Sequence, residues 1–180
     1  MTTDIKTYLN SLPEDILTPE NILTIDISFK SLKSLPDLTR FKNLKLLICN
    51  NNQLTSLPTL PQSLNSLSCD NNELTSLPTL PQSLNSLSCD NNELTSLPTL
   101  PQNLKRLHCS YNQLISLPTL PHTLEDLYCG NNQLTLLPTL PQSLEILYCN
   151  NNQLTSLPTF PHNIKLLDCD YNLITIRFMK

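Results

Sequence analysis

Residues Thr55 to Leu74 read TSLPTLPQSLNSLSCDNNEL, and residues Thr75 to Leu94 repeat that string without a change. No other property of the chain constrains its fold as tightly. One such unit cannot bury its own apolar side chains. Stacked units bury them against one another in a continuous core, so a repeat of this period predicts a solenoid. The frame is Leu-x-x-Leu-x-Cys-x-x-Asn-x-Leu, followed by a segment close to Thr-Ser-Leu-Pro-Thr-Leu-Pro-Gln-Ser. Eight copies begin at Ile22, Leu44, Leu64, Leu84, Leu104, Leu124, Leu144 and Ile164; the first is 22 residues long and the next six are 20 each.

Within a frame, Leu107 and Cys109 stand two apart and point to one side of an extended strand, while Arg106 and His108 point to the other. Each coil therefore contributes a short strand, and successive strands run parallel in one sheet. In the return segment, Leu57 and Leu60 are expected to point inward while Pro58 and Pro61 hold an extended, polyproline-like backbone. Helix is disfavoured there because each proline removes a donor and restricts the residue before it. Fifteen prolines would suggest a loose linker if scattered, but most of them keep register with the leucines, as an ordered coil requires.

The residues Asn52, Asn72, Asn92, Asn112, Asn132, Asn152 and Asn172 recur at one position. A turn after each strand leaves backbone groups unpaired inside a narrow coil, and a buried amide can donate to some and accept from others. The first coil carries Lys30 there, which suits an end coil with a wet outer side. With its LPxLPxxLxxL spacing, this frame resembles the leucine-rich repeat family, in the short form of bacterial effectors and giant-virus repeat proteins. The resemblance spans Ile22 to Ile176. It implies a parallel concave β-sheet, an extended convex side and an asparagine ladder formed by the seven residues above. It leaves the partner open, because such repeats serve many. Cysteine departs from the pattern by filling a core position where the short form often has valine or another aliphatic residue.

The domain reading that follows is an N-terminal cap over 1–21 and a solenoid of eight repeats over 22–180 with a minimal C-terminal cap. Ile5, Tyr8, Leu9 and Leu12 recur at helical spacing, and Ser11 to Glu14 reads as a capping box, so a short helical cap is expected. SLPEDIL faintly resembles the opening of an F-box, but about twenty residues before the repeats are half what that motif needs, which favours the cap. Ile174, Ile176 and Phe178 alternate after the last asparagine and are expected to fold over the final coil.

Composition excludes several functions. A net charge of −4 and a pI near 5.2 argue against a nucleic-acid partner. No apolar run approaches the ~18 residues of a membrane span, and the first residues lack the pattern of a secretory signal. A single glycine, Gly130, rules out a glycine-rich phosphate loop. The seven cysteines, Cys49, Cys69, Cys89, Cys109, Cys129, Cys149 and Cys169, are odd in number and evenly spaced. That argues against a disulfide framework, and a straight file of thiols does not converge on zinc. They read as a column of buried free thiols in a reducing, cytoplasmic compartment, with delivery into a host cell left open. Cys49 and Cys169, nearer the ends, are expected to be the more reactive. Asp70 and Asp90 share a column in which mutual repulsion is expected to be relieved by solvent, and His122 and His162 are expected on the convex surface. No cofactor, metal site or catalytic residue is predicted, and the ligase domain that follows the repeats in some related effectors is not expected.

The exposed face of the sheet is where residues are free to vary. Coils three and four are bland there, with Ser66, Ser68, Ser86 and Ser88. Coils five to eight carry Arg106, His108, Tyr111, Asp126, Tyr128, Ile146, Tyr148 and Tyr171. Exposed tyrosine and arginine in a cluster have the composition of interface anchors. The plainer alternative is that the aromatics only stabilise the sheet by cross-strand contact. The function expected is therefore binding of a protein partner through the concave face, by a chain that is not an enzyme and for which a monomer is the default state. The alternatives are a target-recognition adaptor for a ubiquitin ligase, or a structural repeat without a fixed partner.

Overall fold

The computed structural model describes residues 21–174. The expected helical cap, the F-box-like segment, Ile176 and Phe178 lie outside the described residues. Eight strands follow one another: β1 (Thr24–Asp26), β2 (Leu46–Ile48), β3 (Ser66–Ser68), β4 (Ser86–Ser88), β5 (Arg106–His108), β6 (Asp126–Tyr128), β7 (Ile146–Tyr148) and β8 (Leu166–Asp168). They form one parallel sheet in sequence order, so each strand pairs with the next coil's copy of itself. The register is residue on equivalent residue, as in Arg106 to Asp126, Leu107 to Leu127 and His108 to Tyr128.

Each strand is three residues long because the central residue is the one that must face inward. Leu47, Leu87, Leu107, Leu127 and Leu147 are fully buried, and so is the cysteine two places on, from Cys49 to Cys149. In the coil of β5, Leu104, Leu114, Leu117 and Leu120 complete the same interior. Burying each leucine stabilises the stack by about 1.5–3 kcal/mol relative to leaving it in water. The expected return segment is borne out: Leu57 and Leu60 are buried and the backbone there is neither helix nor strand. Among the described residues there is no helix.

The strand ends where the backbone enters the left-handed region, with φ of 52–56° at Phe29, Asn51, Asn71, Asn91, Tyr111, Asn131, Asn151 and Tyr171. Asparagine tolerates this conformation because its short amide makes local hydrogen bonds. The next residue but one is not a turn former: Asn72 sits one place on and works inward. Its Nδ2 donates to the carbonyls of Cys49 (3.0 Å), Cys69 (3.1 Å) and Asp70 (3.2 Å), and its Oδ1 accepts from the Leu54 N–H at 3.0 Å. The same four-way arrangement recurs at Asn92, Asn112, Asn132, Asn152 and Asn172. The asparagine column is thus a ladder that bonds every coil to the one before it. At the first junction Asn52 Oδ1 accepts from the N–H groups of both Lys30 and Leu32, at 3.0 Å each.

A second ladder runs along the other side of the coils, and the sequence reading did not anticipate it. The hydroxyls of Ser83, Thr123 and Ser143 lie 2.8 Å from the carbonyls of Gln62, Gln102 and His122. They reach the carbonyls of Leu64, Leu104 and Leu124 as well, at 2.6–2.9 Å. Asn103 and Asn163 reach the preceding coil in the same way, at 3.3 and 3.0 Å. No buried side-chain nitrogen or oxygen among the described residues lacks a partner.

Two expectations need correction. Cys49 is fully buried, because the first coil covers it with Ile27; Cys169 alone of the seven is partly exposed. The Asp70–Asp90 column is not left to solvent. Asp70 Oδ1 accepts from the Ser88 hydroxyl at 2.6 Å and from the Asp90 N–H at 2.8 Å, and Asp90 Oδ1 accepts from the Ser110 N–H at 2.6 Å. Repulsion is offset by hydrogen bonds handed from coil to coil.

Candidate functional site

The inward turn of each central leucine sends the two flanking residues of every strand to the concave side. Over β5 to β8 that places two columns side by side: Arg106, Asp126, Ile146, Leu166, and His108, Tyr128, Tyr148, Asp168. The second column holds a ladder of rings. The His108 and Tyr128 centroids are 4.4 Å apart with planes tilted by 52°, and the Tyr128 and Tyr148 centroids are 4.8 Å apart with planes 8° from parallel. The spacing is that of the strands themselves, so the backbone register enforces the stack. Each such pair adds about 0.5–1.5 kcal/mol beyond burial.

In the first column Arg106 Nε lies 3.3 Å from Asp126 Oδ2, a pairing that the sequence placed as neighbours. The column one residue earlier was not read as a set. Lys105, Glu125, Glu145 and Lys165 occupy it, and they pair as Lys105 Nζ to Glu125 Oε1 at 2.7 Å and Lys165 Nζ to Glu145 Oε2 at 2.6 Å. Their alternating signs at one repeat position were the signal available. All three pairs are at the surface, where each contributes roughly 0–1 kcal/mol and mainly fixes the side chains in place.

The site is electrostatically neutral at its centre. Burial lowers the His108 imidazole below its ordinary pKa, against the pull of Asp70 and Asp126 and with the help of Arg106, so the ring is uncharged at neutral pH. Burial, Tyr148 and Asp126 raise the Tyr128 phenol. The half of the face over β3 and β4 is not merely bland. Ser68 donates to Asn50 Oδ1 and to Asp70 Oδ2 at 3.0 Å each, and Ser88 donates to Asp70, so these hydroxyls are already occupied.

The structure brings some of the predicted residues together and separates others. His108, Tyr128 and Tyr148 touch in sequence, Arg106 and Asp126 pair, and Ile146 lies beside Asp126. Tyr111 and Tyr171 do not join the ring ladder. Both occupy the left-handed turn position where the other coils mostly use asparagine, and they stand 57% and 80% exposed at the rim, three coils apart. A bulky residue with positive φ is strained, and no inward packing accounts for either side chain.

The arrangement offers no chemistry beyond binding. Among the described residues no group of histidine, cysteine, aspartate or glutamate side chains could hold a metal ion. Burial pushes the Cys49 and Cys149 thiols up to about 12, and those of Cys69, Cys89, Cys109 and Cys129 well above the ordinary value. A thiol that does not ionise is neither nucleophile nor ligand. No described helix is long and apolar enough to cross a membrane.

The geometry can be set beside known proteins. A family description, leucine-rich repeats in two copies, matches residues 102–142. A Shigella effector leucine-rich repeat domain superposes with a TM-score of 0.77 at 36% identity, over 88% of this chain and 71% of that one. The chain belongs to the leucine-rich repeat family. Among other leucine-rich repeat structures, YopM from Yersinia enterocolitica WA-314 matches with a TM-score of 0.84 and 41% identity, over 86% of this chain and 34% of that chain. The functional domain of InlJ from Listeria monocytogenes, which includes a cysteine ladder, matches with a TM-score of 0.68 and 28% identity, over 87% of this chain and 41% of that chain. The present chain therefore spans about a third of the YopM it matches. No curated protein sequence matches it. Leucine-rich repeat proteins of this kind generally mediate protein–protein interaction.

Proposed function

We propose that this leucine-rich repeat chain binds a protein partner through its concave face over β5 to β8, and that its role is recognition, not catalysis. The observation that carries the reading is the ring ladder His108–Tyr128–Tyr148, held at 4.4 and 4.8 Å on the outward side of the sheet. These rings are pre-ordered by the register, so a partner covering them does not have to freeze their rotamers. Arg106 and Asp126, fixed in their pair, and Ile146 border the rings, and the exposed Tyr111 and Tyr171 extend the contact to the rim. A cross-strand stabilising role explains the stacked rings but not the two exposed rim tyrosines. The free, buried thiols fit a reducing compartment. The effector relatives support a place of action inside a host cell.

The test is a quantitative binding assay of the full chain against its captured partner. Tyr128→Ala with Tyr148→Ala is expected to stay folded and to weaken binding by at least about 2 kcal/mol, the loss expected when central anchors are truncated. Ser68→Ala with Ser88→Ala is expected to leave affinity nearly intact, with circular dichroism melts as the folding control for both. Loss of binding from the serine changes alone would place the site on the other half of the sheet.

A further inference from the structure

The ring ladder is open at one end. Tyr128 covers one face of Tyr148 at 4.8 Å with planes 8° from parallel, so the other face of Tyr148 is turned toward β8. The residue in register there is Asp168, whose short side chain cannot cover a phenol ring. One of its oxygens, Oδ1, accepts from the Asp170 N–H at 3.1 Å, which leaves Oδ2 without a donor among the described residues. Beside this gap run Ile146 and the exposed Leu166, which present aliphatic surface on the same side of the sheet.

The charges of this half are unbalanced in a particular way. From 104 to 174 the basic residues are Lys105, Arg106 and Lys165, and the acidic ones are Glu125, Asp126, Glu145, Asp168 and Asp170. All three bases are held in ion pairs with Glu125, Asp126 and Glu145. What remains to meet a partner is Asp168 and Asp170, next to an uncovered aromatic face.

We propose that the gap between Tyr148 and β8 is a seat for an arginine side chain of the partner. Its guanidinium would stack on Tyr148 as the fourth plane after His108, Tyr128 and Tyr148. It would donate to Asp168 while its methylenes lie across Ile146 and Leu166. Arginine fits better than lysine because a planar guanidinium can stack and hydrogen-bond in one pose, whereas an ammonium is a compact, strongly hydrated point charge. The proposal rests on the reading of this face as a protein-binding surface and names the chemistry that the surface selects.

The experiment is a nitrogen-15 NMR titration of the full chain with acetylated, amidated hexa-arginine, and with hexalysine and hexaglutamate as comparisons. Hexa-arginine is expected to give saturable shifts centred on the Tyr148 and Asp168 amides, hexalysine to bind about threefold to tenfold more weakly, and hexaglutamate not to bind. Tyr148→Leu and Asp168→Asn are each expected to weaken hexa-arginine binding by a similar factor. Glu93→Gln, which removes the same charge far from the gap, is expected to leave it unchanged. Equal binding of hexa-arginine and hexalysine, with Glu93→Gln as harmful as Asp168→Asn, would reduce the effect to diffuse charge and overturn the seat. A natural partner that needs Tyr128 and Tyr148 but binds Asp168→Asn at full strength would keep the binding face and remove the arginine from it.

Discussion

Asn132 Nδ2 donates to the carbonyl of Cys109, one coil back, at 3.0 Å, while Asn132 Oδ1 accepts from the N–H of Leu114 at 3.0 Å. One side chain thus closes a circuit between two coils, and it is buried. Asn132→Ala leaves those groups without partners and is expected to destabilise the protein by about 1–3 kcal/mol. Urea denaturation of the two proteins measures the difference. Because each junction depends on its neighbour, the loss should also lower the protection of amides in the adjoining coils against hydrogen exchange. An unchanged midpoint would show that the amide is replaceable by water.

Thiol labelling should follow burial and not distance from the chain ends. Cys169 is the partly exposed member and is expected to react first with a maleimide reagent. Cys49 is expected to be as slow as the central cysteines, since burial holds its thiol up at about 12. Mass spectrometry of a labelling time course checks this, and early modification of Cys49 would mean that the first coil opens.

Asp90 gives the fold a pH dependence. Burial and the neighbouring Asp70 raise its carboxyl to about 6, against the Ser110 N–H, which favours the charged form. A carboxyl with a raised folded pKa binds its proton more tightly in the native state than when unfolded. Its contribution is therefore most favourable at acid pH and is lost as the pH rises from about 4 through 6. Asp90→Asn mimics the protonated form and keeps an acceptor for Ser110. It is expected to raise the melting temperature at pH 7.5 and to leave it unchanged near pH 4.5. Equal shifts at both values would remove the titration from the explanation.

Gly130 is present for space, as its φ is not positive. A Cβ built there would lie 2.5 Å from Asn150 Oδ1 and 3.2 Å from the Asn150 carbonyl oxygen. Gly130→Ala gains about 0.4–1 kcal/mol from a stiffer unfolded chain but incurs about 1–3 kcal/mol of crowding, so net destabilisation is expected. Adding Asn150→Ala should recover part of the loss. A double-mutant cycle by thermal melting would detect the coupling, and strict additivity would show that the two residues do not meet.

Periodicity carried the fold because it fixes direction. Once Leu107 and Cys109 are known to face inward, Arg106 and His108 must face out, and the strand register follows from the constant repeat length. Periodicity does not say where a hydrogen bond ends. The Ser83 and Thr123 hydroxyls look like ordinary surface positions in sequence, yet they bind carbonyls of the preceding coil. Asn51 and Asn71 look like neighbours of the ladder, yet their role is to accept a left-handed backbone. The candidate site was legible in the same uneven way. His108, Tyr128 and Tyr148 share a column and had to approach one another. Tyr111 and Tyr171 belong to a turn column whose strain only the dihedral angles reveal. Lys105 and Glu125 were missed because the pairing runs across coils, between residues twenty apart.

The ladders have a consequence for how such a molecule can change its length. Every side-chain bond of the asparagine and hydroxyl ladders spans one junction, and every junction offers the same partners. Excising 75–94 would join Leu74 to Thr95 in the same local setting that Leu74 now shares with Thr75. Copy number is then an adjustable dimension of the protein. Each inserted block would carry the ring ladder one strand, about 4.8 Å, farther from the first coil without altering the rings themselves. The two identical blocks act as a spacer of variable gauge, and the reach between the amino-terminal coil and the binding surface can be reset in whole steps.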